Sequence, residues 1–100
     1  MAYEPTDFEW DAAKSERNRQ VRDLPFELAI ELFRGHVVTE PDTRRDYGEA
    51  RWRATGIVGG LILVCVFTDR GTTRRIISLR RAKRRERDAY RAQDLDRHRS

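Results

Sequence analysis

Residues 61–68 read Leu-Ile-Leu-Val-Cys-Val-Phe-Thr, an unbroken apolar run between Gly59-Gly60 and Gly71. An eight-residue run rich in β-branched and aromatic side chains suits a strand, and a strand apolar on both faces must be covered on both. The chain is therefore expected to build a sheet around this segment, with helices on at least one side. A membrane span is excluded, because the longest apolar stretch, residues 57–67, has 11 residues where a spanning helix needs roughly 20.

The flanking sequence supplies the other layers. Phe8-Glu9-Trp10 alternates as a short half-buried strand does, and Asp11 then suits the N-cap of a helix over 12–20 with Ala12 and Ala13 at its buried edge. Pro25 fits the first turn of a second helix, whose stripe of Phe26, Ala29, Ile30 and Phe33 is widened by Leu28 and Leu32 and ended by Gly35. From His36 the pattern becomes strand-like. Ala50, Trp52 and Ala54 are expected on the covered face of one strand and Glu49, Arg51 and Arg53 on its open face. Gly59-Gly60 makes a hairpin, residues 75–79 form the last strong strand, and a charged helix runs from about 82 to 94. Residues 1–7 are expected to be a loose lead-in and the tail ending His98-Arg99-Ser100 to fray. The expectation is one α+β domain over 1–100, core about 8–94: an N-terminal strand, two helices, an antiparallel sheet of about four strands and a C-terminal helix. Trp52 and Phe33 are its expected core aromatics.

Charge separates along the chain. Residues 1–50 hold 7 Lys/Arg against 12 Asp/Glu, whereas residues 51–100 hold 14 against 5. Such a basic half attracts a polyanion, nucleic acid or an acidic protein, and 19 of the 21 basic residues are Arg, whose planar fork matches phosphate. The N-terminal Met-Ala-Tyr-Glu-Pro-Thr-Asp has neither a basic n-region nor an apolar h-region, so a cytoplasmic protein is expected. One cysteine, Cys65, and two histidines, His36 and His98, make no zinc set, no disulfide and no Cys-His pair. Cys65 reads as a small buried hydrophobe. Neither a metal nor another cofactor is expected.

Chemistry is left to arginines and one carboxylate. Glu49, Arg51 and Arg53 share a strand face, Arg70 ends the central strand, and Arg75 and Arg80 bracket the last one, so an antiparallel meander could bring them to one sheet edge. A carboxylate there could take the proton of an RNA 2′-hydroxyl while Arg stabilises charge on phosphorus. The same alternation also describes the solvated face of a half-buried sheet. Arg75 and Arg80 differ in strand parity and cannot share a face without a bulge; Arg80 is the expected site residue, sharing its face with Ile76 and Ser78.

Phe8-Glu9-Trp10-Asp11 with Lys14 and Asn18, Gly48-Glu49-x-Arg51-Trp52, Thr68-x-Arg70-Gly71, and Arg75-Ile76-Ile77-Ser78-x-Arg80-x-Ala82 with Glu86 and Tyr90 together resemble the BrnT toxin family over about residues 8–90. The resemblance implies a RelE-like fold and a ribonuclease toxin of a bacterial type II toxin–antitoxin module. It also implies a small ribbon-helix-helix BrnA-like antitoxin, through which alone the toxin would meet DNA. On this reading Glu49, Arg51, Arg70 and Arg80 are the catalytic candidates, and Lys14, Arg22, Arg53 and Ser78 the RNA-binding ones. The chain departs from the family at Val21-Arg22-Asp23-Leu24, where Lys-His-Gly-Val is usual, and at Ser78-Leu79-Arg80, where Ser-Ala-Arg is usual. The first departure leaves open a degenerate module that binds antitoxin or RNA without cleaving.

Overall fold

The computed structural model describes residues 7–44 and 46–97. Most of the expected lead-in and the tail at His98 lie outside these residues. The elements run β1 (Asp7–Trp10), α1 (Ala12–Arg22), α2 (Leu28–Arg34), β2 (Val38–Pro41), β3 (Trp52–Val58), β4 (Leu61–Arg70), β5 (Thr73–Arg81) and α3 (Arg84–Arg97). They form the expected α+β architecture, with one change in the sheet. Its order is β1-β5-β4-β3-β2, and β1 joins the free edge of β5 in parallel, so the sheet has five strands and is mixed.

The central strand is β4, buried from Ile62 to Thr68. Leu63, Cys65 and Phe67 face the larger core with Leu24, Phe26, Ala29, Leu32, Ala54, Ile76 and Leu79, beneath α2 and the chain entering it. Ile62 and Val64 face the other way, against Ala82 and Tyr90 of the α3 segment. Cover on both faces is what the continuous apolar run demands. Gly59 and Gly60, at φ 55° and 83°, make the tight β3–β4 turn from two left-handed residues that favour glycine. Gly56 lets α2 approach β3, since a Cβ there would meet the Val37 side chain at 3.0 Å and that of Leu32 at 3.1 Å.

Several expected placements change. Ala12 and Ala13 are exposed; the inner edge of α1 is polar, with Ser15 Oγ accepting the Phe26 N–H at 2.9 Å and Asn18 Nδ2 donating to the carbonyls of Leu24 and Leu79. Hydrogen bonds, rather than apolar burial, fasten this helix. Asp11 caps it as expected, accepting from Ala13 N–H and Lys14 N–H. The regular part of α2 begins at Leu28, after a turn through Pro25. Trp52 points to the expected face, opposite Phe67, but remains 36% exposed because it stands at the sheet margin. Phe33 is half-buried, its ring packed between Phe8 at 6.0 Å and Phe67 at 5.1 Å.

α1 ends on Asp23 at φ 60°, ψ 32°, with its N–H bonded to the Arg19 carbonyl. That left-handed conformation favours glycine. Asp23→Gly is expected to stabilise the fold by about 0.5–1 kcal/mol, the relief of Cβ crowding exceeding the entropy of the freer unfolded chain. A calorimetric Tm that stays level or falls would contradict this.

Candidate functional site

A bulge interrupts β5 and overturns the parity that set Arg75 apart from Arg80. Register shifts between β4 and β5 where Val66 pairs with Ser78 and Phe67 with Ile76, leaving Ile77 as the extra residue. The chain's parity flips there. Ser78 and Arg80 face the α3 side with Val66 and Val64, and so does Arg75, opposite Thr68. Ile76 and Leu79 enter the larger core on the other side. The expected grouping of Ile76 with Ser78 and Arg80 is therefore corrected, and Arg75 joins their face.

Three of the four catalytic candidates meet at one corner of the sheet. Glu49 lies in the loop before β3; its Oε1 accepts from Arg70 Nη2 at 3.1 Å, and its Oε2 is 3.5 Å from Arg51 Nε. Arg51 Cζ lies 4.0 Å from the centroid of the Tyr47 ring, and its Nε is buried without a hydrogen bond. Thr68 Oγ1 donates to the Ala50 carbonyl at 2.6 Å, tying the loop to β4. The Arg70 hydrogen bond, then the charges of Arg70 and Arg51, hold the Glu49 carboxyl below its ordinary value. The corner thus presents an ionised carboxylate between two guanidinium groups.

Arg80 is elsewhere. It pairs with Val64, six residues from Arg70 along β4, which at ~3.3 Å per residue is about 20 Å. Its guanidinium grips both oxygens of Glu86 at 2.7 and 2.8 Å, while Glu86 also accepts the Lys83 N–H at 2.8 Å. This contact fastens the start of α3 to β5. The four candidates do not converge on one phosphate, because the strand connecting them runs lengthwise between the two clusters.

Glu86 makes the α3 junction acid-sensitive. The Arg80 hydrogen bond, aided by the Lys83 N–H, lowers its pKa from 4.5 to about 2. A depressed carboxyl contributes stability that is complete above its unfolded value and is lost as pH falls from 4.5 towards 2. Glu86→Gln is expected to remove about 2 kcal/mol of the difference in unfolding free energy between pH 7 and pH 2.5, allowing for partial solvent screening. Equal pH slopes for the two proteins in urea titrations would refute it.

The RNA-binding candidates divide as well. Lys14, Arg22 and Ser78 line one groove between α1 and β5, together with Arg17 and Asn18. Arg22 also borders a second depression with Arg80, Arg81 and Lys83. Among the described residues, Lys14, Arg17, Arg22, Arg81 and Lys83 enter no ion pair. Arg53 lies on the α3 side of the sheet, bordering a depression with Glu86 and Tyr90 of α3, 2.9 Å from Glu40 and 3.6 Å from the buried Asp42, which Arg44 holds ionised. Arg75 lies 3.5 Å from Glu9 across the β1–β5 pair.

Other groups are structural. Cys65 is fully buried, and burial pushes its thiol up to about 12. The His36 carbonyl accepts the Tyr90 hydroxyl at 2.9 Å, linking α3 to the approach to β2. Sequence reasoning missed Tyr47 as the platform for Arg51, although its position two residues before Glu49 was a usable signal.

No curated protein matches the chain. Residues 10–86 match the family described as ribonuclease toxin, BrnT, of type II toxin-antitoxin system. That span includes the Glu49–Arg51–Arg70 corner, the β5 bulge and the Arg80–Glu86 junction, and by it the chain belongs to the BrnT family of ribonuclease toxins.

Proposed function

We propose that the protein cleaves RNA internally, without a metal ion, at the corner where Glu49 meets Arg51 and Arg70. The observation that carries this reading is the Glu49 carboxylate held at 3.1 Å by Arg70 and 3.5 Å from Arg51. RNA brings its own nucleophile. The 2′-hydroxyl attacks the adjacent phosphorus, its proton passes to Glu49, and the 5′-oxygen leaves with a proton from water, to which Glu49 then returns its own, giving a 2′,3′-cyclic phosphate and a 5′-hydroxyl. A phosphate arriving at Arg70 and Arg51 competes for the donors that keep Glu49 weakly basic. Substrate binding therefore raises the proton affinity of Glu49 as the arginines turn to the phosphate.

Arg75 extends the positive face two residues along β4 from Arg70, and Arg53 lies on the same face. Lys14, Arg22 and Ser78 supply a second contact for the RNA backbone in the α1–β5 groove. Arg80 acts from a distance by holding α3, with its exposed edge available to phosphate. A ribbon-helix-helix antitoxin that binds the toxin in the cytoplasm and restrains it completes the reading.

Induced expression without antitoxin is expected to arrest growth and fragment cellular RNA, and co-expression of the antitoxin to prevent both. In vitro, cleavage is expected to persist in excess EDTA and to leave cyclic phosphate ends. Loss of activity on chelation would refute the metal-independent chemistry. The Val21-Arg22-Asp23-Leu24 departure favours a second reading, a module that binds without cleaving; intact RNA and normal growth at verified soluble expression would select it.

A further inference from the structure

Trp52 is the only aromatic residue among the described ones that is as much as 36% exposed, and it belongs to neither core cluster. It borders the same depression as Tyr47, Glu49 and Arg51. The Tyr47 ring is already occupied by the Arg51 guanidinium, whereas the described residues place no ring or cation on Trp52. Asp42 and Asp46 also line this depression. The Asp42 side chain is buried with both oxygens held by Arg44, whereas Asp46 is exposed and only its Oδ1 is engaged, accepting the Gly48 N–H at 2.8 Å. An open aromatic plane near a carboxylate with a free acceptor suits a nucleobase, which offers a π-face for stacking and, in some bases, an amino group to donate, while Arg51 at the other side of the depression serves phosphate.

We infer that Trp52 stacks on a base of single-stranded RNA flanking the cleaved bond, and that the neighbouring Asp46 carboxylate selects a base bearing an exocyclic amino group. The inference rests on RNA being handled at the Glu49 corner and assigns that corner a base subsite. Phosphate at Arg70 and the base on Trp52 would then be recognised separately, the first without regard to sequence and the second with it. Cytosine and uracil make the cleanest comparison, because their rings are alike in size and cytosine alone carries the amino group.

The test uses the whole protein carrying 5-fluorotryptophan, whose two fluorine resonances report Trp10 and Trp52 and are assigned with Trp52→Phe. The probes are cytidine and uridine hexanucleotides with 2′-fluoro sugars, which cannot supply the attacking hydroxyl, and an abasic hexamer of equal charge. Binding is followed independently by anisotropy of a terminal dye. A selective shift of the Trp52 resonance with cytidine hexamers, absent with the abasic one, and about fivefold tighter binding of cytidine than uridine are expected. Binding with an unmoved Trp52 resonance overturns the base subsite while leaving RNA handling at Glu49 intact. Equal affinity for cytidine and uridine overturns the selection by Asp46. No binding of any hexamer overturns both the subsite and the functional reading beneath it.

Discussion

Arg70→Ala is expected to lower single-turnover RNA cleavage by a factor on the order of 10²–10³ while leaving Tm close to that of the parent. The magnitude is that of losing one donor aimed at charge developing in a transition state. The small effect on stability follows from position: the Arg70 side chain is 56% exposed at the end of β4, and its ion pair with Glu49 lies open to water. Arg70→Lys should recover part of the rate, since a point charge replaces the two-pronged fork. Arg80→Ala serves as the contrasting variant. It removes the bidentate hold on Glu86 and should lower Tm together with activity, whereas Arg70→Ala separates the two. Full cleavage by Arg70→Ala at unchanged Tm would remove the corner from the mechanism.

The distribution of charge around that corner accounts for how a strongly basic strand face stays ordered without substrate. Arg51 and Arg70 share Glu49, Arg53 meets Glu40 and Asp42, Arg75 meets Glu9, and Arg80 meets Glu86. The more exposed of these pairs, such as Arg70–Glu49 and Arg75–Glu9, add little to stability, whereas Arg80–Glu86 and the pair of Arg53 with the buried Asp42 are largely withdrawn from water and contribute more. Under the proposed function their consequence is electrostatic: an RNA phosphate would have to exchange with a carboxylate at each arginine, while Lys14, Arg17 and Arg22 of the α1–β5 groove, which enter no ion pair among the described residues, would be open to it from the start. On the proposed reading, the groove would favour capture and the corner chemistry.

Element identity was legible in the sequence wherever periodicity was strong. The apolar run at 61–68 required a central strand, Asp11 required a helix start, and Gly59-Gly60 required a turn, each for a local reason that tertiary contacts did not override. Long-range pairing was less legible. That β1 lies parallel to β5 depends on which sheet edge remains open, and Phe8-Glu9-Trp10 carries no local mark of its partner. The bulge at Ile77 shows the same limit, because one inserted residue reverses the faces of everything before it without altering composition. Arg75, set aside on parity, lies on the site's face for that reason. Trp52 reads as core from alternation alone, yet alternation gives the face and says nothing of distance from the sheet margin.

Arg74 was not singled out by the sequence, and its removal is expected to have the largest effect on folding. It faces the larger core opposite Asp69, with Cζ 4.2 Å from the Phe67 ring centroid and 4.6 Å from that of Phe33. Asp69 accepts two hydrogen bonds from it, at 2.8 and 2.9 Å. Only 12% of the Arg74 side chain and 26% of that of Asp69 are exposed, so the pair is mostly withdrawn from water. Arg74→Ala deletes two cation–π contacts, opens space against Phe33 and leaves Asp69 charged without its partner. Breaking a buried pair from one side costs roughly 3–5 kcal/mol, and the residual exposure of Asp69 places this case near about 3 kcal/mol. For a domain of this size that corresponds to a Tm lower by roughly 12–24 °C. Arg74→Met combined with Asp69→Asn keeps the packing over both rings and removes both charges, so it should recover more than half of the loss. Urea denaturation of the two variants decides the matter: a loss below about 1 kcal/mol for Arg74→Ala would show that the rings hold together without the cation, and no recovery in the double variant would show that charge, rather than packing, stabilises this end of the core.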